Sequence, residues 1–314
     1  MLSNLEDIRY RIIKKFILKK NISSQRKIIS KLPPILAHRV FHYTLTEKDL
    51  NLKNPTTFND KLHYMMLWVH GDKETELADK YLVRKWLEKK GYKNLAPKLY
   101  GVYNSAEEID INSLPKSFVL KCNHGCGKIE FCENKKEFDL ESAKQRLSQT
   151  LSEDFSTQSL EPHYHSIKRK IICEEFLPHA PGKLPYDYKF YCFDGKVDCI
   201  LLCSDRANQY KMDYYDLDWH SLPYVKPEYR SKEKHPKPKN LTKMIQIAKN
   251  LSKGFPFVRV DLYNINGKIY FQEMTFTPAA GISTRNTDEA FKHFGSLIKL
   301  PPKQHKPIHI KLSY

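Results

Sequence analysis

No stretch of the 314 residues approaches the roughly 18 consecutive apolar residues that a membrane-spanning helix needs. A hydrophobic content of 40% and a mean hydropathy of −0.60 describe a chain that folds in water. The amino-terminal segment MLSNLEDIRYRIIKKFILKK is basic, but charges interrupt its apolar residues and no small-residue cleavage site follows. It does not read as a secretory signal, so the expected location is the cytoplasm. No internal repeat is visible. The seven cysteines are an odd number in a long chain, which argues against a complete disulfide framework. Cys122 with Cys126, and Cys199 with Cys203, have a spacing found in some zinc sites. Both pairs lie in or beside apolar runs (FVLKCNHGCGK and VDCILLCSD), and the reading is reduced, buried thiols. Neither GxGxxG nor GxxxxGKS occurs, and no Ser/His/Asp or Cys/His arrangement suggests a covalent nucleophile. His163 and His165 have no partner spacing for a metal and are read as surface residues.

What the chain has is positive charge, a formal +17, which implies an acidic partner. Nucleic acid would satisfy it, but no RRM, KH or helix-turn-helix pattern appears and the aromatics do not form a stacking platform, so nucleic acid is not the expected partner. The remaining classes are nucleotide phosphates, an acidic polymer and an anionic membrane surface.

The most informative stretch is Phe257 to Phe276, FVRVDLYNINGKIYFQEMTF, two strands joined at Asn266-Gly267. A two-residue or four-residue loop would pair odd positions with even ones and put Asp261 and Glu273 on opposite faces. A three-residue loop, Ile265-Asn266-Gly267, sets Arg259 opposite Glu273 and Asp261 opposite Phe271. Arg259, Asp261, Glu273 and Thr275 then share one face, with Val258, Val260, Leu262, Tyr270, Met274 and Phe276 on the other and Gln272 the exception. Two carboxylates and an arginine so placed suit a metal and a phosphate. The same residues also fit a solvated hairpin face with a cross-strand ion pair.

In chain order, residues 5 to 18 form a helix with Leu5, Ile8, Ile12, Ile13, Phe16 and Ile17 on one face. We expect that face to dock on the core, with an anionic membrane surface as the alternative. A helix follows the turn at Asn54-Pro55, capped near Thr57 or Asn59. The next runs from Thr75 to Gly91 and places Lys80 and Arg84 one turn apart, a pair that can grip an anion or form a solvated basic face. SFVLK enters the polar turn CNHGCGK, where glycines let backbone amides approach an anion and Lys121 adds a charge. KIICEEFL is a buried strand ending in Glu174-Glu175, and a second hairpin turns at Asp194-Gly195 with Asp187 and Lys189 on one face. Residues 226 to 239 have the composition of an exposed flexible loop. A helix over Leu241 to Ser252 leads back to the central hairpin.

The motifs TFNDKL, LADKY, LKCNHG, IICEEFL, DYKF, SDR, YDLDW and FPFVRVDLY, in this order from about Leu52 to Leu300, resemble the TupA-like group of the ATP-grasp superfamily, linked to bacterial polysaccharide and teichuronopeptide biosynthesis. The resemblance implies an α+β ATP-grasp fold. Its parts would be an amino-terminal helical region (1–115), a lid subdomain (116–180) and a carboxy-terminal antiparallel-sheet subdomain carrying the metal site (181–314). It implies that Lys80 and Lys121 bind nucleotide phosphates, that Glu174, Glu175 and Leu177 form the hinge against adenine and ribose, and that Lys189 faces phosphate. Asp261 and Glu273 would coordinate Mg2+, with Arg259 beside the transferring phosphoryl group. Thr275 stands where relatives often have asparagine, and Cys126 where they tend to have serine in a longer loop. Arg84, Asn123, His124, Asp205 and Arg206 are the candidates for acceptor binding. The implied chemistry is ligation of a carboxylate to a small amine or amino acid with ATP, through an acyl phosphate. The implied acceptor is a uronic acid of an acidic surface glycan or its precursor, with peripheral contact at the inner membrane. The alternative is a glycosyltransferase, for which Asp216-Leu217-Asp218 would be the acidic pair.

Overall fold

The structure is a computed structural model describing residues 2–125, 128–177, 185–204 and 210–311. The chain opens with three helices, α1 (Leu2–Ile17), α2 (Ile22–Ile29) and α3 (Pro34–Thr46), that share a small core of Tyr10, Ile17, Ile29, Val40 and Phe41. α1 does not dock through the face expected: Tyr10 and Ile17 are buried, while Ile8, Ile12 and Phe16 point outward. α4 (Phe58–Trp68) starts at Thr57, whose hydroxyl accepts from the Asp60 amide while Asp60 caps back, a reciprocal arrangement typically worth about 1 kcal/mol.

The helix expected over Thr75 to Gly91 is two helices, α5 (Asp72–Ala78) and α6 (Val83–Lys89). Asp79 breaks it: its backbone turns extended (ψ 112°) and its Oδ1 accepts from the amides of Tyr81 and Leu82, restarting the chain as an N-cap would. Lys80 and Arg84 therefore do not share one helical face.

A four-stranded antiparallel sheet follows in the order β1-β4-β2-β3, from β1 (Leu99–Tyr103), β2 (Phe118–Cys122), β3 (Ile129–Cys132) and β4 (Ile171–Glu175). α7 (Leu140–Ser152), capped by Asp139, lays Leu147 on it, and the short α8 (Ser156–Ser159) leads on toward β4. The larger sheet has the order β10-β9-β5-β6-β7-β8 and is antiparallel throughout. Its strands are β5 (Asp187–Phe193), β6 (Lys196–Ser204), β7 (Lys211–Tyr215), β8 (Ser221–Leu222), β9 (Val258–Ile265) and β10 (Lys268–Thr275). α9 (Leu241–Leu251) covers one face, packing Met244, Ile247, Ala248 and Leu251 against Phe190, Ile200, Val258, Val260 and Leu262. The opposite face is divided. Tyr191, Phe193, Cys199 and Leu201 are covered by α4 and α10 (Asp288–Leu297), whereas Asp187, Lys189, Arg259, Asp261 and Glu273 stay outside that apolar cluster.

The β9-β10 hairpin corrects the sequence expectation. The turn has two residues, Asn266 and Gly267, both with positive φ (51° and 80°), and Ile265 pairs with Lys268. Phe271 faces Leu262, not Asp261. The phase is restored by a bulge at Gln272, after which Glu273 pairs with Asp261 and Thr275 with Arg259. Ile269 and Phe271, rather than Tyr270, therefore complete the apolar face. His163, expected at the surface, is buried beside His70, their rings 5.3 Å apart and perpendicular. The segment 226–239 is irregular but pinned: His235 is buried and its carbonyl accepts from the Trp219 indole. Six cysteines are free and buried, and Cys126 lies outside the described residues.

Candidate active site

The floor of the site is built on β5, β9 and β10. Asp261, fully buried on β9, accepts from Arg259 Nε (2.7 Å) and Nη2 (2.6 Å) and from Lys189 Nζ on the neighbouring strand (2.6 Å). Arg259 Nη2 also reaches Glu273 Oε1 (3.2 Å) and Thr275 Oγ1 (3.0 Å), and the Thr275 hydroxyl donates to Glu273 (2.9 Å). Oxygens of three residues thus converge on one cationic nitrogen. Burial would raise the Glu273 carboxyl, but Lys80, Lys189 and Arg259 hold it down at about 2. Burial raises Asp261 and is opposed by Arg259 and Lys189. Burial would depress Lys189, and Asp261 and Asp187 reverse that so that its ammonium is held charged.

The opposite wall comes from the small sheet. Glu174 on β4 receives Lys121 Nζ from β2 (2.5 Å) and Arg84 Nη1 from α6 (2.9 Å). Between the wall and the floor lies a cleft of about 330 Å3. It is lined by Lys80, Lys121, Glu174, Glu175, Leu177 and Lys189, with Glu273 and His124 at its edge. Lys80 arrives there because of the break at Asp79: its amide donates to the Asn123 carbonyl (3.0 Å) and its Nζ to the Gly125 carbonyl (2.5 Å). Gly125 takes φ 69° and lies so close to Phe155 that a Cβ would come within 2.6 Å of the ring.

Two of the residues expected to bind the acceptor are engaged elsewhere. Asn123 is fully buried, its amide spent on the Lys168 carbonyl (3.0 Å) and the Lys170 N-H (2.7 Å), so it shapes the turn and cannot face a substrate. Arg84 is tied to Glu174 and to the Pro97 carbonyl and is not part of the cleft lining. His124 lines the cleft and hydrogen-bonds the Glu153 carbonyl (3.0 Å), with burial lowering its pKa. Asp205 and Arg206 lie outside the described residues. Asp216, of the Asp216-Leu217-Asp218 alternative, accepts from the amides of Asp218 (2.9 Å) and His220 (2.8 Å), serving a turn after β7.

Sequence reasoning missed Glu161. It is buried and accepts from Ser159 and from Thr277, just beyond β10. Burial raises its carboxyl to about 7, those two hydrogen bonds hold it lower, and Glu273 pushes it up. Thr277 opens a tight turn in which Ala279, Ala280 and Gly281 all take positive φ. More than 100 residues separate Glu161 from its partner Thr277, so no local pattern could have marked it.

The family model for TupA-like ATP-grasp proteins matches residues 60–299. The chain belongs to the TupA-like ATP-grasp family. Its fold, mixed helix and antiparallel sheet in two sheets, agrees with that family. No curated protein matches it by sequence. Among solved structures, it is similar to D-alanine–D-alanine ligase from Bacillus anthracis (17% identity, 71% of this chain and 65% of that one, TM-score 0.42). It is also similar to the D-alanine–D-alanine ligase from Helicobacter pylori (13%, 79% and 68%, TM-score 0.44). A third likeness is to the ATP-grasp ligase PsnB, solved with a minimal precursor, Mg and ADP (14%, 71% and 55%, TM-score 0.37). The chain thus spans about two thirds of the length of the Bacillus anthracis ligase. The assignment rests on the family match.

Proposed function

We propose that the protein is an ATP-dependent carboxylate–amine ligase that activates a carboxylate as an acyl phosphate. The observation that carries this reading is the single cleft that gathers Lys80, Lys121, Glu174, Glu175, Leu177 and Lys189 above the Asp261-Glu273 floor. In it the hinge of Glu174, Glu175 and Leu177 takes adenine and ribose, and Lys80, Lys121 and Lys189 take the phosphates. The substrate carboxylate attacks the γ-phosphorus, ADP leaves, and an amine then displaces phosphate from the acyl carbon and loses a proton. Arg259 stabilises the charge on the transferring phosphoryl oxygens, so it and Lys121 act on the reacting groups.

The donor set fits Mg2+. That ion is commonly held by one or two carboxylates together with substrate phosphates, and Asp261, Glu273 and the Thr275 hydroxyl already converge on one positive charge. When bound, it would neutralise the β and γ oxygens. Holding it requires Arg259 Nη2 to give up that position, which leaves the guanidinium available to phosphate.

The acceptor in this reading is a uronic-acid carboxylate of an acidic surface glycan or its precursor, and the amine a small amine or amino acid. The net charge of +17 supports an acidic acceptor. The work would take place in the cytoplasm, where ATP is supplied. Incubation with ATP, Mg2+, uronates and amines should release ADP and phosphate in equal amounts, only when a carboxylate is present. With an 18O-labelled carboxylate, one label should appear in the phosphate. AMP as product, or turnover of a nucleotide sugar without ADP, would overturn the reading.

A further inference from the structure

We propose that α1 is a membrane-contacting element that lies on an anionic lipid surface. Its packed side is fully accounted for. Tyr10 and Ile17 are buried against α3, Tyr10 donates to Asp49 (2.5 Å), Lys14 pairs with Asp49 (2.7 Å), and Arg39 pairs with Asp7 (2.6 Å) while lying over the Tyr10 ring (4.0 Å). The helix needs nothing more to stay docked.

Away from that side runs a second apolar ridge, Ile8, Ile12 and Phe16 at i, i+4 and i+8, exposed by 51%, 54% and 60%. At about 100° per residue, Arg11 and Lys15 lie on one flank of this ridge and Arg9 on the other, all exposed. Glu6 falls on the packed side, and Asp7, though exposed, lies about 100° from Ile8 and is paired with Arg39, so among the described side chains no unpaired acidic residue borders the ridge. The chain continues through Lys19 and Lys20 to Ile22, itself 71% exposed.

Charge decides the occupant. A second copy meeting this ridge about a two-fold axis would set Arg9, Arg11 and Lys15 against themselves. An anionic bilayer offers opposite charge at the flanks and an apolar layer at the centre, and it requires no complementary shape of so narrow a ridge. Among the described residues no helix is long and apolar enough to cross a membrane, so the contact is one of lying on the surface. This surface stands or falls separately from the ligase reading, since it uses none of the cleft residues.

Co-sedimentation of the full chain with vesicles tests it. Binding is expected to vesicles of phosphatidylcholine with phosphatidylglycerol, and little to phosphatidylcholine alone. The double variant Ile12→Glu/Phe16→Glu, at exposed positions and with an unchanged melting curve, should bind roughly tenfold more weakly or worse. Arg9→Glu/Lys15→Glu should weaken binding too. The proposal is overturned by absence of binding to the anionic vesicles, or by binding that the double variant leaves undiminished, which would be adsorption by charge alone. It is equally overturned by a wild-type dimer that the double variant abolishes while vesicles are not bound, which would assign the ridge to a second copy.

Discussion

Glu174 on the small sheet and Asp261 on the large one are each held between two cations, but in different surroundings. Glu174 has one contact from Lys121 and one from Arg84, both partly solvent-exposed, at the end of β4. Asp261 has three, from Arg259 twice and Lys189 once, and no exposure at all; both carboxylates are buried and both strands are paired on both sides. Removing either buried carboxylate strands its cations, and the cost is larger at Asp261, where those cations are themselves the more buried and cannot turn to solvent. The wall is therefore suited to trade protein contacts for ligand contacts, and the floor to keep its charges fixed.

Removing the floor carboxylate should break the protein most. Asp261→Asn leaves Arg259 and Lys189 buried without their shared anion, and denaturant unfolding should show a loss of about 3–5 kcal/mol, with ligase activity abolished. If stability is unchanged, the floor is not the fixed half.

Glu161, whose carboxyl is raised to about 7 chiefly by burial, tests how strongly the packing beside the floor acts on a carboxyl it encloses. Its folded pKa lies above the unfolded value of 4.5. The unfolded chain therefore loses its proton first, and Glu161 costs stability progressively as pH rises from 4.5 to 7. Glu161→Gln removes that cost, so relative to wild type it should gain stability over this window, by about 3 kcal/mol at pH 8 on a 2.5-unit shift. Parallel pH-melting curves for the two proteins would show that burial and Glu273 do not act on it.

At the wall, Glu174→Gln should cost less stability than Asp261→Asn, about 1–3 kcal/mol, but raise the KM for ATP by about tenfold, a difference of about 1.4 kcal/mol in binding. A stability loss matching that of Asp261→Asn would erase the distinction between the two sites.

The smallest effect is expected from deleting Gln272. The residue following Phe271 would then be Glu273, still opposite Asp261, so the two carboxylates keep one face without a bulge. Gln272 Oε1 is buried without a hydrogen-bond partner, so its removal also takes away a cost. Stability should change by less than about 1 kcal/mol, and a crystal structure should show Thr275 still opposite Arg259.

That deletion also shows what the sequence made legible. Asn266-Gly267 marked the turn, and the common face of Arg259, Asp261, Glu273 and Thr275 was inferred correctly, but through a three-residue loop that does not exist. Gln272, the polar residue out of place in the apolar phase, was the mark of the bulge. The break at Asp79 was also readable, since an aspartate two and three residues before amides it can cap competes with the helix. The contacts that hold Arg84 and Asn123 were not legible because their partners, Glu174 on β4 and Lys170 just before it, are distant in the chain. Helical spacing and a polar turn composition say nothing about such pairing. Ile8, Ile12 and Phe16 of α1 were legible as apolar positions but expected to dock, because periodicity identifies apolar positions and only packing shows which of them is covered.

The position of Arg259 Nη2 among Asp261, Glu273 and Thr275 has a consequence for how the protein answers to metal. The chain carries its own tethered counterion, so the proposed loading of a divalent ion would be an exchange of one cation for another. A chelator should leave the fold and its melting temperature in place. In the proposed ligase, the guanidinium released on loading would stay tethered by its own strand within the same site.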